Sequence, residues 1–336
     1  MVTLQDIADK VGVSRTTVSN VLHGNTKRVS KQTMDKISKI LEQEGYVPNM
    51  GSLIMTKNSS RIIGLTLGSS TFHHMHALQT PFISEFLSKL QLEAESHGYY
   101  VMIISGKEVS SVVDIASRWN IDGLILFAFS EEKYRLLTQK LNKSMVLIDY
   151  YPSKGFFHYN VGIDDYSGGY LIGDYLYNNN HKSALFIAET KKDSDYQRWL
   201  GFKDAQEQNG EICTSYRYNI LNPHLSDVKS YYQTNLEKFI EARALAFSSD
   251  YRAMEAMQNL FQLGVNIPDD ISITGFDDSL YCKFARPALT TIKQNVRLKA
   301  QLAFSQLLKI INNELITEAS IHSPVELVIR NSVKPY

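Results

Sequence analysis

Four polar side chains near the start of the chain, Arg15, Thr16, Ser19 and Asn20, would share one face of a helix. Short or hydrogen-bonding side chains of this kind can reach base edges when a recognition helix lies in the major groove of DNA. The chemistry that they favour is therefore hydrogen bonding to bases. An ordinary amphipathic pair of helices would show the same apolar spacing around them, so both interpretations stay open on the pattern alone.

Two short helices around one glycine would position these side chains. Gly12 can adopt the left-handed conformation that ends a first helix, and Ser14 supplies an N-cap oxygen for a second. A third helix is predicted from about residue 31 to residue 44, opened by Ser30. The apolar residues that recur at helical spacing in the first two segments are Leu4, Ile7, Ala8, Val11, Val18, Val21 and Leu22. The sequence predicts a helix-turn-helix.

Other residue types that bear chemistry form no catalytic or metal pattern. His73, His74 and His76 cluster, but no Cys, Asp or Glu adjoins them to complete a tetrahedral metal set. Cys213 and Cys282 are far apart, which favours reduced thiols. No dinucleotide-binding glycine loop, phosphate loop or Gly-x-Ser-x-Gly elbow occurs. We therefore predict no metal, no cofactor and no enzymatic activity.

The patterns of charge and hydropathy further narrow the class of protein to which this chain can belong. The chain has 336 residues and a formal net charge of zero, yet residues 1–60 hold eight Lys and Arg against five Asp and Glu. A basic end on a more acidic body suits a protein that places that end on phosphates. No basic segment followed by an apolar run opens the chain, and no stretch approaches membrane-spanning length. We expect a cytoplasmic protein without a membrane contact.

From residue 61 onward, apolar runs alternate with amphipathic helices, and this pattern occurs twice. Such alternation predicts parallel sheets covered on both faces, and ligands of such sheets bind beyond the carboxyl ends of the strands. The predicted strands are 62–67, 99–104, 124–127, 145–148, 184–187, 244–247, 271–274 and 325–328. The predicted helices are 81–97, 131–141, 165–178, 198–208 and 251–263.

Taken whole, the chain resembles the lactose/galactose repressor (LacI/GalR) family of bacterial transcription regulators. Its first 60 residues resemble the family's DNA-binding headpiece through Val2-Thr3-Leu4, Asp6-Ile7-Ala8, Gly12-Val13-Ser14, Thr17-Val18-Ser19, Val21-Leu22 and Gly45-Tyr46-Val47-Pro48-Asn49. The remainder resembles its effector domain through Arg198 with Gly201-Phe202, Ser249-Asp250, Ile267-Pro268-Asp269-Asp270-Ile271-Ser272, Gly275-Phe276-Asp277-Asp278 and Pro287-Ala288-Leu289-Thr290-Thr291-Ile292.

The resemblance implies an α/β fold in which an N-terminal helix-turn-helix headpiece precedes two doubly wound parallel-sheet subdomains of periplasmic-binding-protein type. It implies a headpiece at 1–48, a hinge or linker at 49–60 and an effector-binding and dimerisation domain at 61–336. Within that domain, the N-subdomain is expected at about 61–160 and 291–321, and the C-subdomain at about 161–290 and 322–336.

By resemblance, three residues read bases: Arg15, Thr16 and Asn20. Five would hold phosphates: Ser14, Thr17, Ser19, Tyr46 and Asn49. Ser14 as a plain cap and Tyr46 as a core residue are alternatives. Many family members carry arginine where this chain has Asn20, and asparagine matches the N6 and N7 edge of adenine. The operator is therefore expected to hold an A·T pair where relatives prefer G·C.

The linker departs from the family pattern. In the family this segment becomes a hinge helix on DNA, whose paired leucines enter the minor groove. Here Ser52, Leu53 and Met55 stand at the corresponding positions, and Gly51 weakens a helix. Met55 is apolar and flexible enough to enter the groove. A hinge with Ser52 and Met55 at the minor groove and an unstructured linker are both open.

The resemblance also implies an effector site in the cleft between the subdomains. Charged and polar anchors fall at Arg198, Asp277, Asp149, Ser249 and Gln294, with Phe127, Trp199 and His74 as further lining residues. Salt bridges within the protein are the alternative for Arg198 and Asp277, and core packing is the alternative for the aromatic residues. For His74 the alternative is simple solvent exposure. Most relatives have asparagine at the position of Ser249, which hints at an altered ligand.

The implied function is a homodimeric repressor of a carbohydrate-utilisation operon. It would bind a near-palindromic operator and respond to a small effector, expected to be a saccharide, although nucleobases and nucleosides also serve as effectors in the family. The alternative is a catabolite-control type of regulator that is switched by a phosphorylated partner protein.

Overall fold

The computed structural model describes residues 2–22, 26–27, 29–46, 59–68, 77–151, 155–221 and 228–336. Contacts divide the chain into two compact units, residues 1–60 and residues 61–336. Three short helices form the first unit: α1 (Leu4–Val11), α2 (Arg15–Leu22) and α3 (Lys31–Gln43).

The first unit is built by local signals that the sequence displays. Thr3 and Asp6 form a reciprocal capping box at the start of α1. Gly12 ends α1 with φ of 79°, and its N–H donates to the carbonyl of Ala8. The core of the unit consists of the buried residues Ile7, Ala8, Val18 and Ile37.

The second unit begins with a six-stranded parallel sheet in the order β11-β5-β4-β3-β1-β2. Its strands are β1 (Ile62–Gly68), β2 (Tyr100–Gly106), β3 (Gly123–Phe127), β4 (Ser144–Ile148), β5 (Asn160–Ile163) and β11 (Ser320–Ser323). Its helices are α4 (Pro81–Ser96), α5 (Val109–Arg118), α6 (Glu131–Lys140) and α12 (Val296–Ile311). Apolar clusters include residues of α4 and α12 on the one hand and of α5 and α6 on the other, so both faces of the sheet are covered.

A second six-stranded sheet has the order β12-β10-β9-β8-β6-β7, parallel except for the pair β10 and β12. Its strands are β6 (Leu185–Ala188), β7 (Tyr218–Ile220), β8 (Ala244–Phe247), β9 (Ser272–Asp277), β10 (Thr290–Gln294) and β12 (Val325–Val328). Its helices are α7 (Asp165–Asn178), α8 (Asp193–Gln208), α9 (Val228–Thr234), α10 (Leu236–Ala242) and α11 (Asp250–Gln262).

The predicted fold class is confirmed: an N-terminal helical unit precedes two doubly wound, largely parallel sheets. The expected crossovers at 160/161 and 290/291 fall at strands rather than between them. β5 lies wholly in the first sheet and β10 wholly in the second, so the chain changes sheet after Ile163 and after Gln294. Each of these strands is hydrogen-bonded to neighbours in its own sheet along its length, so the chain crosses to the other sheet only after the strand ends.

Candidate functional site

The second helix of the first unit presents the polar residues that the sequence singled out. Arg15 and Thr16 are exposed at the start of α2, while Ser19 and Asn20 are half-buried one turn later. Val18 points into the core and so fixes which face of α2 is outward. Arg15, Thr16 and Asn20 thus remain available for hydrogen bonds to a partner.

Ser14 has a local structural role in this unit. Its Oγ accepts a hydrogen bond from the backbone N–H of Thr17 at 3.1 Å and lies 2.9 Å from the Thr17 hydroxyl. Tyr46 is half-buried and packs against the core of the unit. The cap and core roles considered for these two residues are therefore present, and contact of either with phosphate stays a prediction. Asn49, Ser52 and Met55 lie outside the described residues.

In the second unit, charged and amide side chains follow the carboxyl ends of strands from both sheets. Asp149 comes directly after β4, Asp277 ends β9 and Gln294 ends β10. Asp149 and Asp277 have positive φ values of 50° and 120°, so the chain turns sharply at both carboxylates. This is the edge at which open α/β sheets bind ligands.

Arg198 is the centre of this group. It projects from α8, is 7% exposed, and donates from Nε to Asp165 at 2.7 Å and from Nη1 to the carbonyl of Ser248. Its guanidinium also lies 3.6 Å from the centroid of the Phe276 ring. The internal ion pair considered for Arg198 is present, and its partner is Asp165.

Burial and neighbouring charges perturb the protonation of these groups. The pKa of Asp277 is raised to about 8: burial is the largest cause, Arg198 opposes the rise and Asp250 adds to it. Burial lowers the pKa of Arg198, but the nearby carboxylates of Asp165, Asp277 and Asp195 raise it by more, so its net pKa is raised. Arg198 therefore carries its charge, and Asp277 holds a proton over much of the neutral range.

Gln294 lies beside Asp277 and has hydrogen-bonding capacity to spare. Its Nε2 donates to Asp277 Oδ1 at 2.6 Å, while its buried Oε1 accepts no hydrogen bond. A buried carbonyl oxygen without a donor is costly unless a ligand or water supplies one. The pair therefore offers acceptor atoms to a hydrogen-bond donor in this region.

The remaining sequence-predicted lining residues have differing surroundings. Ser249 caps α11, because its Oγ accepts from the N–H of Arg252 at 3.4 Å. Trp199 is 5% exposed and its ring is stacked on that of Tyr218 at 5.0 Å. Phe127 is half-buried, with its ring 5.7 Å from that of Phe82. His74 lies outside the described residues. Ser249 and Trp199 thus have structural roles, and contact of either with a ligand stays a prediction.

Two charged residues of this region were not expected from the sequence. Asp165 begins α7 and holds Arg198, and Lys299 on α12 donates to both oxygens of Asp149 at 2.8 and 2.7 Å. A lysine within the largely apolar buried face of α12 was the available signal, since such a residue needs a buried partner.

The described residues contain no group of three or more His, Cys, Asp or Glu that could hold a metal ion. Within the same part of the chain, no helix is long and apolar enough to cross a membrane.

Comparison with known proteins agrees with both units. Residues 3–49 match the family model described as bacterial regulatory proteins, lacI family, and residues 174–333 match that of the periplasmic binding protein-like domain. The HTH-type transcriptional repressor PurR of Histophilus somni (strain 129Pt) is 27% identical over 347 residues, covering 99% of each protein.

Solved structures of similar fold include the lac repressor dimer bound to operator and the anti-inducer ONPF. It superposes with a TM-score of 0.82 at 22% identity and covers 99% of each chain. The complex of the transcriptional regulator CelR with cellobiose has a TM-score of 0.73 at 20% identity, covering 99% of this chain and 100% of that one.

A helix-turn-helix unit followed by a periplasmic-binding-protein-like core combines a DNA-binding domain with a ligand-binding domain. The chain belongs to the LacI/GalR family of bacterial transcription regulators. It is a DNA-binding transcriptional repressor with a ligand-binding domain and not an enzyme.

Proposed function

We propose that this repressor controls a carbohydrate-utilisation operon and that its effector is a saccharide bound between the two subdomains. The observation that carries the proposal is the group of Arg198, Asp277, Gln294 and Asp149 at the carboxyl ends of strands from both sheets. Adjacent hydroxyl groups of a sugar need several hydrogen-bond donors and acceptors close together, as these four side chains provide. The Gln294 Oε1 is a buried acceptor that receives no hydrogen bond.

The aromatic residues near Arg198 favour a hydroxylated ligand over a flat base. Trp199 stacks on Tyr218 within the core, and the Arg198 guanidinium covers one face of Phe276. A nucleobase gains much of its binding energy from stacking, and these three rings are already engaged. Phe127 is half-buried at the end of β3, with its ring 5.7 Å from that of Phe82, and we expect its exposed edge to pack against the apolar side of a sugar.

Calorimetric titration of the full chain tests the ligand class, with cellobiose, D-ribose, hypoxanthine and adenosine as probes. We expect a saccharide to bind. Gln294→Met should weaken that binding roughly 2- to 12-fold, the effect of about 0.5–1.5 kcal/mol for one neutral hydrogen bond. Gln262→Met, which makes the same change at an exposed position on α11, should bind as the wild type does. Binding of the bases alone would contradict the proposal.

We further propose that the protein acts on DNA as a homodimer. Arg15, Thr16 and Asn20 would read bases, Ser14, Thr17, Ser19, Tyr46 and Asn49 would contact phosphates, and Ser52 and Met55 would meet the minor groove. The exposed polar face of α2 supports this assignment. Selection of genomic fragments at near-physiological salt should enrich an inverted repeat of roughly 14–18 base pairs, about the span of two adjacent major-groove contacts.

The neighbouring genes of each enriched site would then indicate candidate saccharides. Absence of any enriched repeat would contradict unaided DNA binding and favour the alternative in which a phosphorylated partner protein is required.

A further inference from the structure

Lys299 has an unusual place in the core of the first subdomain. It lies near the start of α12, and its side chain is 0% exposed. The other buried residues of this helix are Val296, Ala300, Ala303, Phe304, Gln306 and Leu307. An ammonium group in such surroundings loses its hydration, and this cost must be offset by a partner of opposite charge.

That partner is Asp149, in a geometry that uses both carboxylate oxygens. Lys299 Nζ donates to Oδ1 at 2.8 Å and to Oδ2 at 2.7 Å, and it also lies 4.9 Å from the centroid of the Phe82 ring. The ammonium thereby restricts rotation of the carboxylate about its side chain. The buried ammonium group of Lys299 therefore sets the orientation of the Asp149 carboxylate from the core side.

The backbone of Asp149 is held as firmly as its side chain. Its φ is 50°, and its N–H donates to the carbonyl of Val161 at 3.1 Å. The side chain nevertheless keeps 12% of its exposure, whereas that of Lys299 has none. The carboxylate is thus supported on the core side by Lys299 and keeps some access to solvent.

Several charged and titratable groups from other elements face this carboxylate. Burial is the largest cause and raises the pKa of Asp149, Lys299 lowers it, Asp165 at the start of α7 raises it and Arg198 on α8 lowers it, so that the net pKa is raised. Tyr151 follows in sequence, and its hydroxyl donates to Asp165. His322 on β11 borders Gly162 together with Asp149. Without Lys299, burial and the charge of Asp165 would both disfavour ionisation of Asp149, and Arg198 would be the one remaining cation among the causes that lower its pKa.

A purely structural account of the pair is weak on energetic grounds. Replacing a buried ion pair by apolar residues of similar volume is often neutral or stabilising, because desolvation of two ions is costly. Most of the other buried residues on α12 are apolar. The desolvation cost of this ion pair is explained if the Asp149 carboxylate must be ionised and fixed in order to bind a ligand.

We propose that Lys299 is a positioning residue of the effector site, which orients the Asp149 carboxyl group and favours its ionised form so that it accepts a hydrogen bond from the ligand. This inference rests on the proposed function of the cleft. Two lone-pair sites remain on the carboxylate after both ammonium contacts are made, so Asp149 retains capacity for a ligand hydroxyl. Arg198 and Gln294 in the other subdomain would contact the remaining groups of the same ligand.

The test follows the carboxyl carbon of Asp149 in the full chain labelled with ¹³C-aspartate, with its resonance assigned by its loss in Asp149→Asn. Lys299→Met should shift the titration of Asp149 to higher pH, since the nearest cation is gone. Lys299→Gln, which keeps a donor without the charge, should shift it in the same direction and provides a second variant if methionine impairs folding. Lys309→Met changes an exposed lysine on the same helix and should leave the titration unchanged.

Titration with cellobiose and D-ribose adds a functional readout. If a sugar binds the wild type, Lys299→Gln should weaken its binding, and Lys309→Met should not. An unchanged Asp149 titration in both Lys299 variants would overturn the proposal, and so would unchanged sugar affinity in Lys299→Gln. If no sugar binds any variant while the titration shifts, the saccharide class fails and the action of Lys299 on Asp149 is still supported.

Discussion

Asn20 is a proposed base-reading residue at a position where the resemblance implies arginine in many family members. It lies on α2 on the side away from the buried Val18. An asparagine amide can pair with the N6 and N7 atoms of adenine, whereas arginine pairs with the O6 and N7 atoms of guanine. One side chain would therefore change the operator at one base pair per half-site.

Asn20→Arg should shift the preferred base at that position from A towards G, by about 1–3 kcal/mol of discrimination for a bidentate contact. A base-by-base binding scan of the selected operator measures this. Gln5→Arg adds the same charge at an exposed position on α1 and should leave the base preference unaltered. An identical base preference in Asn20→Arg and the wild type would remove Asn20 from the base-reading set.

Asp277 gives the ligand-binding core a specific dependence on pH. Its pKa is raised to about 8 in the folded protein by burial, well above the ordinary value of 3.8. The folded state therefore binds a proton that the unfolded state releases, and this contribution to stability is fully present below pH 4 and is lost as pH rises towards 8. Asp277→Asn should flatten the fall in unfolding free energy over that window, measured by urea denaturation. Asp269→Asn, at an exposed carboxylate, serves as the control; equal slopes in both variants would exclude Asp277 as the source.

At the scale of elements, the close packing of α7 against α8 determines where Arg198 meets Asp165. A Cβ at Gly169 would lie 1.8 Å from the carbonyl oxygen of Arg198, and one at Gly201 would lie 1.9 Å from that of Tyr166. Both obstacles are backbone atoms, so a side chain there cannot be accommodated by a rotamer change. The two helices must separate instead.

Gly169→Ala should therefore destabilise the protein by about 1–3 kcal/mol, as overpacking does elsewhere, despite the better helix propensity of alanine. It should also weaken saccharide binding, since Arg198 moves with α8. Asn178→Ala places the same residue at an exposed site on α7 and should show neither effect. Wild-type stability in Gly169→Ala would show that the helices can separate without cost.

The elements that the sequence predicted are those with strong local patterns. Continuous apolar runs predicted β4 and β8, and Gly12 with Ser14 predicted where α2 begins. The helix α5 was not predicted, because Val109, Val112 and Val113 are β-branched residues with low helix propensity, and its formation depends on burying Val112 against the sheet. β5 contains Asn160 and Gly162, and it is a strand through its pairing with β4 and β11.

The same contrast between local and distant interactions distinguishes the site residues that the sequence predicted from the pairings that it did not. The prediction of Asp277 and Gln294 rests on the family resemblance, and each of the two residues lies at the end of a strand. Lys299 and Asp149 are 150 positions apart, and nothing local to either residue specifies the pairing. Trp199 was a candidate for stacking on a ligand, but its stacking on Tyr218 depends on the distant strand β7. Partners across the fold are a consequence of topology, which short sequence patterns do not encode.

At the scale of the whole molecule, the proposed base contacts lie in residues 1–60 and the proposed ligand contacts in residues 61–336. A saccharide can change operator affinity only if it binds two conformations of the core unequally, and the coupling is reciprocal. We expect saturating saccharide to change operator affinity roughly 5- to 150-fold, the range for about 1–3 kcal/mol of coupling, with operator DNA changing saccharide affinity by the same factor. Gln294→Met should raise the sugar concentration needed without altering the factor at saturation, because we expect it to weaken binding to both conformations equally. Fluorescence anisotropy of labelled operator across a sugar titration measures both quantities, and operator affinity that stays constant at saturating sugar would show that the cleft ligand is not the effector.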